Sequence, residues 1–364
     1  MSNFVKRRRL DRRCKLSKMS PERVYRPTIE SEVDTLMRHL RLEPERPITD
    51  ALGDEENNYK TFARDQNGKR VFFKVCLLNQ RPFEDGLQIF PPRGIENEIA
   101  VYKALAAVPS TETDLITPHF IAGHAGDLPW LLLDVIEPEL LLTYEHQFTP
   151  SNLRSSWIET IIRGVAAYQS LAQYQPQLRR ELPAFDTTNV SQFETFFDRN
   201  KEWLTQHLGN GKGTAARDYL IRGLSSWSKE NTYLAHGDLS LHNIGFKDKA
   251  LIVLDWEHAH ISSPAYDFAK VFVQAWQYVD WQKEFAEAVY RWLPKEDHRA
   301  LFGVAIVMRA LAEIRYLEAC LADKRYGYSR LLSRSLSRER MVAIFHRAIE
   351  AHEETIKSVL KQQT

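Results

Sequence analysis

The chain has 364 residues, with 49 lysines and arginines against 48 aspartates and glutamates. Its 43% hydrophobic and 27% charged residues are ordinary for a folded soluble protein and exclude collagen, coiled coil and wholesale disorder. The longest apolar stretch, Leu128 to Ile136, is far shorter than the roughly 20 residues of a membrane-spanning helix. Three scattered cysteines exclude a disulfide framework or a zinc site. With no apolar signal-peptide core, the sequence predicts a reducing, cytoplasmic compartment.

The formal net charge of +1 hides an uneven distribution. Residues 1–18 carry eight basic residues and one acid, a net charge of +7, so the remaining residues sum to −6. Such an arm has three interpretations: binding to nucleic acid or an anionic surface by charge, an import signal, or a disordered tail ahead of an alternative start at Met19. We predict a disordered arm over residues 1–21 and keep the other interpretations as alternatives.

The next part of the chain predicts a small α+β lobe. A weak helical pattern covers residues 22–47, and residues 95–107 carry apolar side chains at helical spacing. The first two of four β-rich runs flank an Asn-Gly pair, which is a strong hairpin signal. The runs are Tyr59–Arg64, Arg70–Cys76, His119–Gly123 and Trp130–Ile136.

The remainder is mostly helical. Thr149 and Pro150 predict the N-cap and first residue of a long helix that reaches Leu171. One β island, residues 243–246 and 251–254, interrupts the helical pattern. Further amphipathic helices are predicted at 192–208, 214–229, 264–279, 281–293, 297–323 and 338–360. The fold class is therefore α+β, with a small antiparallel-sheet lobe and a mostly helical lobe joined near residues 134–138.

The β island carries the clearest chemical signal. It begins with the pattern H-x-D-x-x-x-x-N, which runs from His236 to Asn243, and an aspartate, Asp255, follows twelve residues later at the end of an apolar strand. Phosphoryl transfer needs one carboxylate to orient the attacking hydroxyl and oxygen ligands to hold Mg²⁺ on the nucleotide phosphates. Asp238 suits the first role. Asn243 and Asp255 suit the second, because Mg²⁺ prefers carboxylate and amide oxygens.

These segments resemble the aminoglycoside phosphotransferase and choline kinase-like family, which shares the protein-kinase fold. The resemblance rests on the His-Gly-Asp loop ending at Asn243, on Leu-Asp-Trp-Glu at 254–257, and on Pro-Ala-Tyr-Asp-Phe-Ala at 264–269. It implies a bilobal kinase-like fold that uses ATP and Mg²⁺. It also implies that His236 and Asp267 support the catalytic loop. Glu257 would contact the metal or a cationic acceptor, or else lie at the surface.

The same resemblance implies roles in the first lobe. Lys74 would pair with the nucleotide phosphates and Glu98 would hold that lysine, with Glu96 as second choice. The alternatives are an edge-strand lysine with its ammonium in water and a solvated helix glutamate. The hinge that meets adenine would lie around Asp134 and Ile136. The loop covering the phosphates would span residues 53–59, where Asn58 matches the family's pattern.

We therefore predict three segments: the arm at 1–21, a nucleotide-binding lobe at 22–137 and a catalytic lobe at 138–364. The predicted activity moves the γ-phosphate of ATP to a hydroxyl of an aminoglycoside, a choline-like amino alcohol or a sugar. No Ala-Pro-Glu segment stands between Asp255 and Asp267, which argues against a protein substrate. Two alternatives stay open. Three acids at 54–56 favour a catalytically weak nucleotide-binding regulator, and the arm favours a nucleic-acid-associated protein.

Overall fold

The structure, a computed structural model, describes residues 26–46, 58–76, 94–107, 114–125, 128–148, 153–185, 187–227, 232–293, 295–322 and 337–362. The predicted arm at 1–21, residues 53–57 of the predicted phosphate-covering loop, and Thr149 and Pro150 lie outside these ranges. Across the described ranges, no helix combines the length and the apolar character needed to cross a membrane.

The helices and strands are numbered here in chain order. The helices are α1 (Arg26–His39), α2 (Ile95–Ala106), α3 (Tyr144–Phe148), α4 (Ser156–Gln169), α5 (Leu171–Tyr174), α6 (Leu178–Glu181), α7 (Thr187–Arg199), α8 (Lys201–Leu208), α9 (Lys212–Trp227), α10 (Tyr266–Gln274), α11 (Val279–Trp292), α12 (Glu296–Ala322) and α13 (Arg338–Lys361). The strands are β1 (Glu43–Pro44), β2 (Asn58–Arg64), β3 (Arg70–Cys76), β4 (Leu115–Ile116), β5 (Phe120–His124), β6 (Trp130–Asp134), β7 (Leu140–Leu141), β8 (Tyr233–Ala235), β9 (Ile244–Lys247), β10 (Ala250–Val253) and β11 (His260–Ser262).

The N-terminal region is a five-stranded antiparallel sheet in the order β1-β2-β3-β6-β5. The predicted hairpin is confirmed: β2 pairs with β3 around Gly68, whose φ of +76° suits the turn. Helix α1 covers one face of the sheet, because Val33 and Met37 share one side of the helix and pack against Tyr59 and Phe73. Strand β6 ends at Asp134, two residues earlier than predicted.

The helical remainder is built around α12, which packs against α9, α10 and α13. The predicted helix start at residue 150 is wrong, because α4 begins at Ser156. The carbonyl of Arg154 accepts hydrogen bonds from the backbone N–H of Trp157 and the indole N–H of Trp281. Residues 153–155 thus lead into α4 without being part of it.

Two further helix boundaries differ from the prediction. The predicted helix at 192–208 is two helices, α7 and α8, separated at Asn200. The Asn200 side chain donates to the carbonyl of Phe196 at 2.8 Å, and asparagine that bonds to nearby backbone favours helix ends. The helix predicted at 264–279 ends at Gln274.

The predicted β island is confirmed as the hairpin of β9 and β10, and it belongs to a four-stranded sheet in the order β4-β10-β9-β7. Strands β4 and β7 each have two residues, too few to produce a periodic signal in the sequence. After Asp134 the chain leaves the first sheet and forms β7, which pairs with β9 in the second sheet. The hairpin therefore stands where the sheet region and the helical region meet.

Candidate active site

The loop that follows β8 is held by one buried carboxylate. Asp267, in the first turn of α10, accepts hydrogen bonds from the backbone N–H of His236 at 2.7 Å and of Gly237 at 3.0 Å. The hydroxyl of Tyr168 donates to the same carboxylate at 2.7 Å. Asp267 is fully buried, so these three donors replace the water that an isolated carboxylate would require. The arrangement fixes the backbone immediately before Asp238.

Gly237 allows this loop to pack closely against the following segment. Its φ is +85°, and a Cβ at this position would lie 2.0 Å from the carbonyl oxygen of His258. The guanidinium of Arg309 donates to the Gly237 carbonyl, and Arg309 is only 1% exposed. Its guanidinium carbon also lies 4.4 Å from the ring centroid of Tyr266. The glycine of the motif is thus a steric requirement of the loop.

Asp238 lies near two cationic groups, Lys270 and Arg309, and two histidines. Its Oδ1 lies 3.2 Å from Nζ of Lys270, which also donates to Glu313 at 2.5 Å. Burial opposes ionisation of Asp238, but Lys270 and the neighbouring histidines 258 and 242, with Arg309, hold the pKa of its carboxyl well below the ordinary value. Asp238 is therefore a carboxylate at neutral pH. Its side chain remains 27% exposed, which leaves it accessible to a ligand.

Both ring nitrogens of His236 are engaged within the loop. Nδ1 accepts from the backbone N–H of Asp238 at 3.2 Å, and Nε2 donates to the carbonyl of Leu254 at 2.9 Å. The ring is fully buried and lies against Trp256, with ring centroids 4.6 Å apart. These contacts connect the catalytic loop to the strand end that carries Asp255. They suit the predicted supporting role.

The β9–β10 hairpin brings the two predicted metal ligands towards one end of a ribbon. Val253 pairs with Ile244, and the N–H of Leu254 donates to the carbonyl of Asn243 at 3.0 Å. The amide Nδ2 of Asn243 donates to the Asp238 carbonyl at 2.9 Å, so its amide oxygen is left as an acceptor. Asp255 has a φ of 68°, a left-handed conformation that aspartate tolerates better than most residues.

Lys74 lies at the centre of the charged cluster. Its Nζ is 2.6 Å from Glu98 and 2.7 Å from Asp255, and it also contacts Glu257. Lys74 is 1% exposed on an interior strand, so the edge-strand interpretation is wrong. Burial opposes its charge, but the three carboxylates raise the pKa of Lys74 well above the ordinary value. Lys74 is therefore a permanent ammonium.

The carboxylates around Lys74 are buried as well. Glu98 is 2% exposed, so the solvated-helix interpretation is wrong, whereas Glu96 is exposed. Burial raises the pKa of Glu98 to about 7, although Lys74 acts in the opposite direction. Glu257 is also 2% exposed, which rules out a surface role, and it accepts from Nδ2 of Asn58 at 2.5 Å. Carboxylate oxygens of Glu98, Asp255 and Glu257 lie within 4.8 Å of one another.

This set of donors fits a magnesium ion. Asp255 and Glu257 offer carboxylate oxygens and Asn243 offers an amide oxygen, and these are the ligand types that Mg²⁺ takes. Five titratable side chains meet here, three acidic and two basic, and Glu98, with its pKa of about 7, is only partly ionised at neutral pH. The predicted metal ligand Asp255 thus lies in one cluster with the predicted phosphate residues Lys74 and Glu98, and Asn243 is joined to the same strand end through the N–H of Leu254.

The predicted hinge residues lie at the far end of β6. The Asp134 carboxylate is 2.6 Å from Nζ of Lys69, and the Asp134 backbone N–H donates to the carbonyl of His119 at 2.9 Å. Ile136 follows the strand and is half-buried. The side chain of Asp134 is thus part of a surface ion pair, which leaves backbone groups as the means of contacting a base.

Several charged residues at the site were not identified from the sequence. Lys60 is 3.0 Å from Asp255, and Lys270, Glu313 and Arg309 surround Asp238. Lys270 is three residues after Asp267 on the same helix, which is the spacing of one helical face. Arg309 and Glu313 are four residues apart on α12, within its buried stretch. Each spacing places two charged side chains on one face of a helix, and the sequence alone contains that pattern.

Comparison with known proteins then decides the family. The model of the phosphotransferase enzyme family (APH) matches residues 51–302, which is more than half of the chain and includes the catalytic loop and the Lys74 cluster. The chain belongs to this family. Phosphotransfer is therefore its general chemistry. No curated protein matches the chain significantly by sequence.

Solved structures show the same fold for this phosphotransferase. The GDP and kanamycin complex of APH(2")-IIia aligns with a TM-score of 0.52 and 14% identity, covering 89% of this chain and 98% of the other. Amicoumacin kinase hAmiN, in complex with AMP-PNP, Ca²⁺ and Ami, aligns with a TM-score of 0.50 and 14% identity, covering 89% and 94%. The predicted protein-kinase-like fold, a small antiparallel-sheet region before a mostly helical remainder, is confirmed.

Proposed function

We propose that this phosphotransferase moves the γ-phosphate of ATP to a hydroxyl of a small molecule. The observation that carries the proposal is the convergence of Lys74, Glu98 and Asp255 within hydrogen-bond distance, beside a loop that presents the ionised Asp238. A buried ammonium and clustered carboxylates provide the charges that a metal–nucleotide complex needs, and an accessible carboxylate can receive a hydroxyl.

On the nucleotide side, Glu98 holds Lys74 in position to neutralise phosphate oxygens. Asn243 and Asp255 would hold Mg²⁺, with Glu257 as a third oxygen ligand close by. Bound there, the ion would offset the negative charge of the phosphates during transfer. The Asn58 amide, beside Glu257, would meet the phosphates, and the backbone around Asp134 and Ile136 would bind adenine. Residues 22–137 would thus form the nucleotide-binding lobe.

On the acceptor side, Asp238 would orient the hydroxyl. Lys270 contacts Oδ1, so we assign the hydroxyl contact to Oδ2. The lowered pKa of Asp238 makes it a weak base, which favours alignment of the hydroxyl over early removal of its proton. A loosely bonded, metaphosphate-like transition state requires only such alignment. Residues 138–364 would thus form the catalytic and acceptor lobe.

The acceptor can be found by a direct screen. The protein would be incubated with MgATP and, separately, with aminoglycosides, macrolides, amino alcohols and sugars, and products would be read by mass spectrometry as phosphate monoesters. We expect a phosphorylated product for at least one class, absent with Asp238→Ala. Binding of MgATP without any product across the panel would favour the regulatory alternative. Failure to bind MgATP would contradict the proposal.

A further inference from the structure

Two lysines lie directly opposite each other in the nucleotide-facing hairpin. In the β2–β3 register, Lys60 is the partner of Lys74. Like charges at directly opposed positions destabilise an antiparallel pair. Asp255 relieves this repulsion by bridging the two ammonium groups, with Oδ1 at 2.7 Å from Lys74 and Oδ2 at 3.0 Å from Lys60. The pair of lysines is therefore stable as long as an anion stands between them.

The surroundings of the two lysines differ. Lys74 is 1% exposed and touches three carboxylates, so its charge stays compensated if one of them turns away. Lys60 is 35% exposed, and its ion pair is with Asp255. If Asp255 gives its oxygens to a magnesium ion, the ammonium of Lys60 loses its ion-pair partner and can accept a new anion at the same place. The phosphates carried by that ion are anions at the required position.

We propose that Lys60 is a second phosphate-binding lysine, which transfers from Asp255 to the phosphates of the bound metal–nucleotide. The inference rests on the proposed function. Under the proposed function, the Asp255 carboxylate occupies the position between Lys60 and Lys74 that a phosphate oxygen would take in the nucleotide complex. Lys60 is thus a nucleotide-binding residue in addition to Lys74, held ready by the carboxylate that it releases.

The position of Lys60 along the sheet assigns it to phosphate and not to the base. Lys74 pairs with Leu131 on β6, whereas Asp134 pairs with Val71, three residues along the strand. A strand rises about 3.3 Å per residue, so the predicted adenine end is on the order of 10 Å from the lysine pair. Lys60 also directly follows Tyr59, where the predicted phosphate-covering loop ends.

The test compares ligands with and without phosphates. Dissociation constants for MgATP and for adenosine would be measured by isothermal titration calorimetry with the wild-type protein, Lys60→Met and Lys60→Arg. The matched control is Arg64→Met, which removes an exposed cation from the same strand. Thermal unfolding of each variant without ligand would confirm the fold.

We expect Lys60→Met to weaken MgATP binding about tenfold, the equivalent of one charge-assisted hydrogen bond, with adenosine binding changed less than about twofold. Lys60→Arg should stay within about threefold of wild type for both ligands. Unchanged MgATP binding by Lys60→Met would overturn the inference while leaving the proposed function intact. Equal loss of MgATP and adenosine would also overturn it, because Lys60 would then only support the fold. If the wild-type protein binds neither ligand, the proposed function itself fails.

Discussion

The two halves of the site are held together in different ways. Around Asp238, the proposed catalytic loop is fixed by backbone groups, because Asp267 accepts the N–H groups of His236 and Gly237 and Arg309 binds the Gly237 carbonyl. Around Lys74, charged side chains hold one another, and each contact joins an ammonium to a carboxylate. The first half is part of the folded core, whereas the second can exchange its partners.

This difference matches the two tasks. A carboxylate that aligns a hydroxyl must stay in place, and a backbone fixed by buried hydrogen bonds provides that rigidity. A site that admits a metal and phosphates can exchange one charged partner for another of the same sign, so that each buried charge stays compensated. Damage to the loop should therefore reduce folding stability, and damage to the Lys74 cluster should reduce ligand binding and turnover.

The largest expected effect is on the loop. Asp267→Ala leaves two buried N–H groups and the Tyr168 hydroxyl without their acceptor, and we expect the free energy of unfolding to fall by about 3–5 kcal/mol. Urea denaturation would measure it, with Asp280→Ala, at an exposed position in the first turn of α11, as the control. If Asp267→Ala were as stable as Asp280→Ala, Asp267 would not be what fixes the loop, and the difference between the two halves of the site would not hold.

Lys74→Met should cause the next largest change. We expect turnover to fall at least about a hundredfold, because preorganised charge near the transferring phosphate is among the strongest sources of catalysis. MgATP binding should weaken as well, which calorimetry would detect. The exposed Lys283→Met serves as the control. Wild-type turnover by Lys74→Met would show that the buried cluster is structural only.

A substitution of Lys270 tests how far turnover at the loop around Asp238 depends on a neighbouring charge. Lys270→Met removes the ammonium that lies 3.2 Å from Asp238, and we expect turnover of the identified acceptor to fall about thirtyfold. The dissociation constant of MgATP should stay within about twofold, because Lys270 contacts the loop carboxylate and Glu313. A change in MgATP binding without a change in turnover would show that Lys270 acts with the Lys74 cluster and not with the loop around Asp238.

The smallest effect concerns acid stability. Burial lowers the pKa of His352 from 6.5 to about 4, with Glu313 and Lys270 as its charged neighbours. Between these values the unfolded chain takes up a proton and the folded chain does not. The contribution of neutral His352 to the free energy of unfolding is therefore complete above pH 6.5 and is lost as pH falls towards 4.

His352→Gln should remove that dependence. We expect its free energy of unfolding to decline less than that of the wild type between pH 7 and pH 5.5, by about 1 kcal/mol. His346→Gln, at an exposed position on the same helix, is the control. Parallel pH curves for all three proteins would show that His352 does not contribute to acid sensitivity.

The sequence predicted the parts of the site that local patterns encode. The Asn-Gly turn predicted the β2–β3 hairpin, and the island containing Asn243 and Asp255 was found because strands interrupted a helical pattern. The same register could have identified Lys60 as the partner of Lys74. Glu313 lies four residues after Arg309, but its contact with Lys270 spans 43 residues, and no local spacing predicts that contact.

Helix boundaries failed for a related reason. Thr149 and Pro150 form a good local start signal, yet α4 begins at Ser156, just after the Arg154 carbonyl that accepts from the distant Trp281. Likewise, the side chain of Asn200 divides a pattern that is continuous in hydrophobicity. Local periodicity predicts which segments are helical, and tertiary hydrogen bonds decide where they end.

The most direct test of the central claim separates binding from transfer at Asp238. Calorimetry and ³¹P NMR would measure MgATP binding and phosphate transfer by the same preparation of Asp238→Asn, beside the wild type. We predict MgATP binding within about twofold of wild type and transfer reduced at least about a thousandfold. Transfer at the wild-type rate by Asp238→Asn would contradict the assignment of this loop as the catalytic centre.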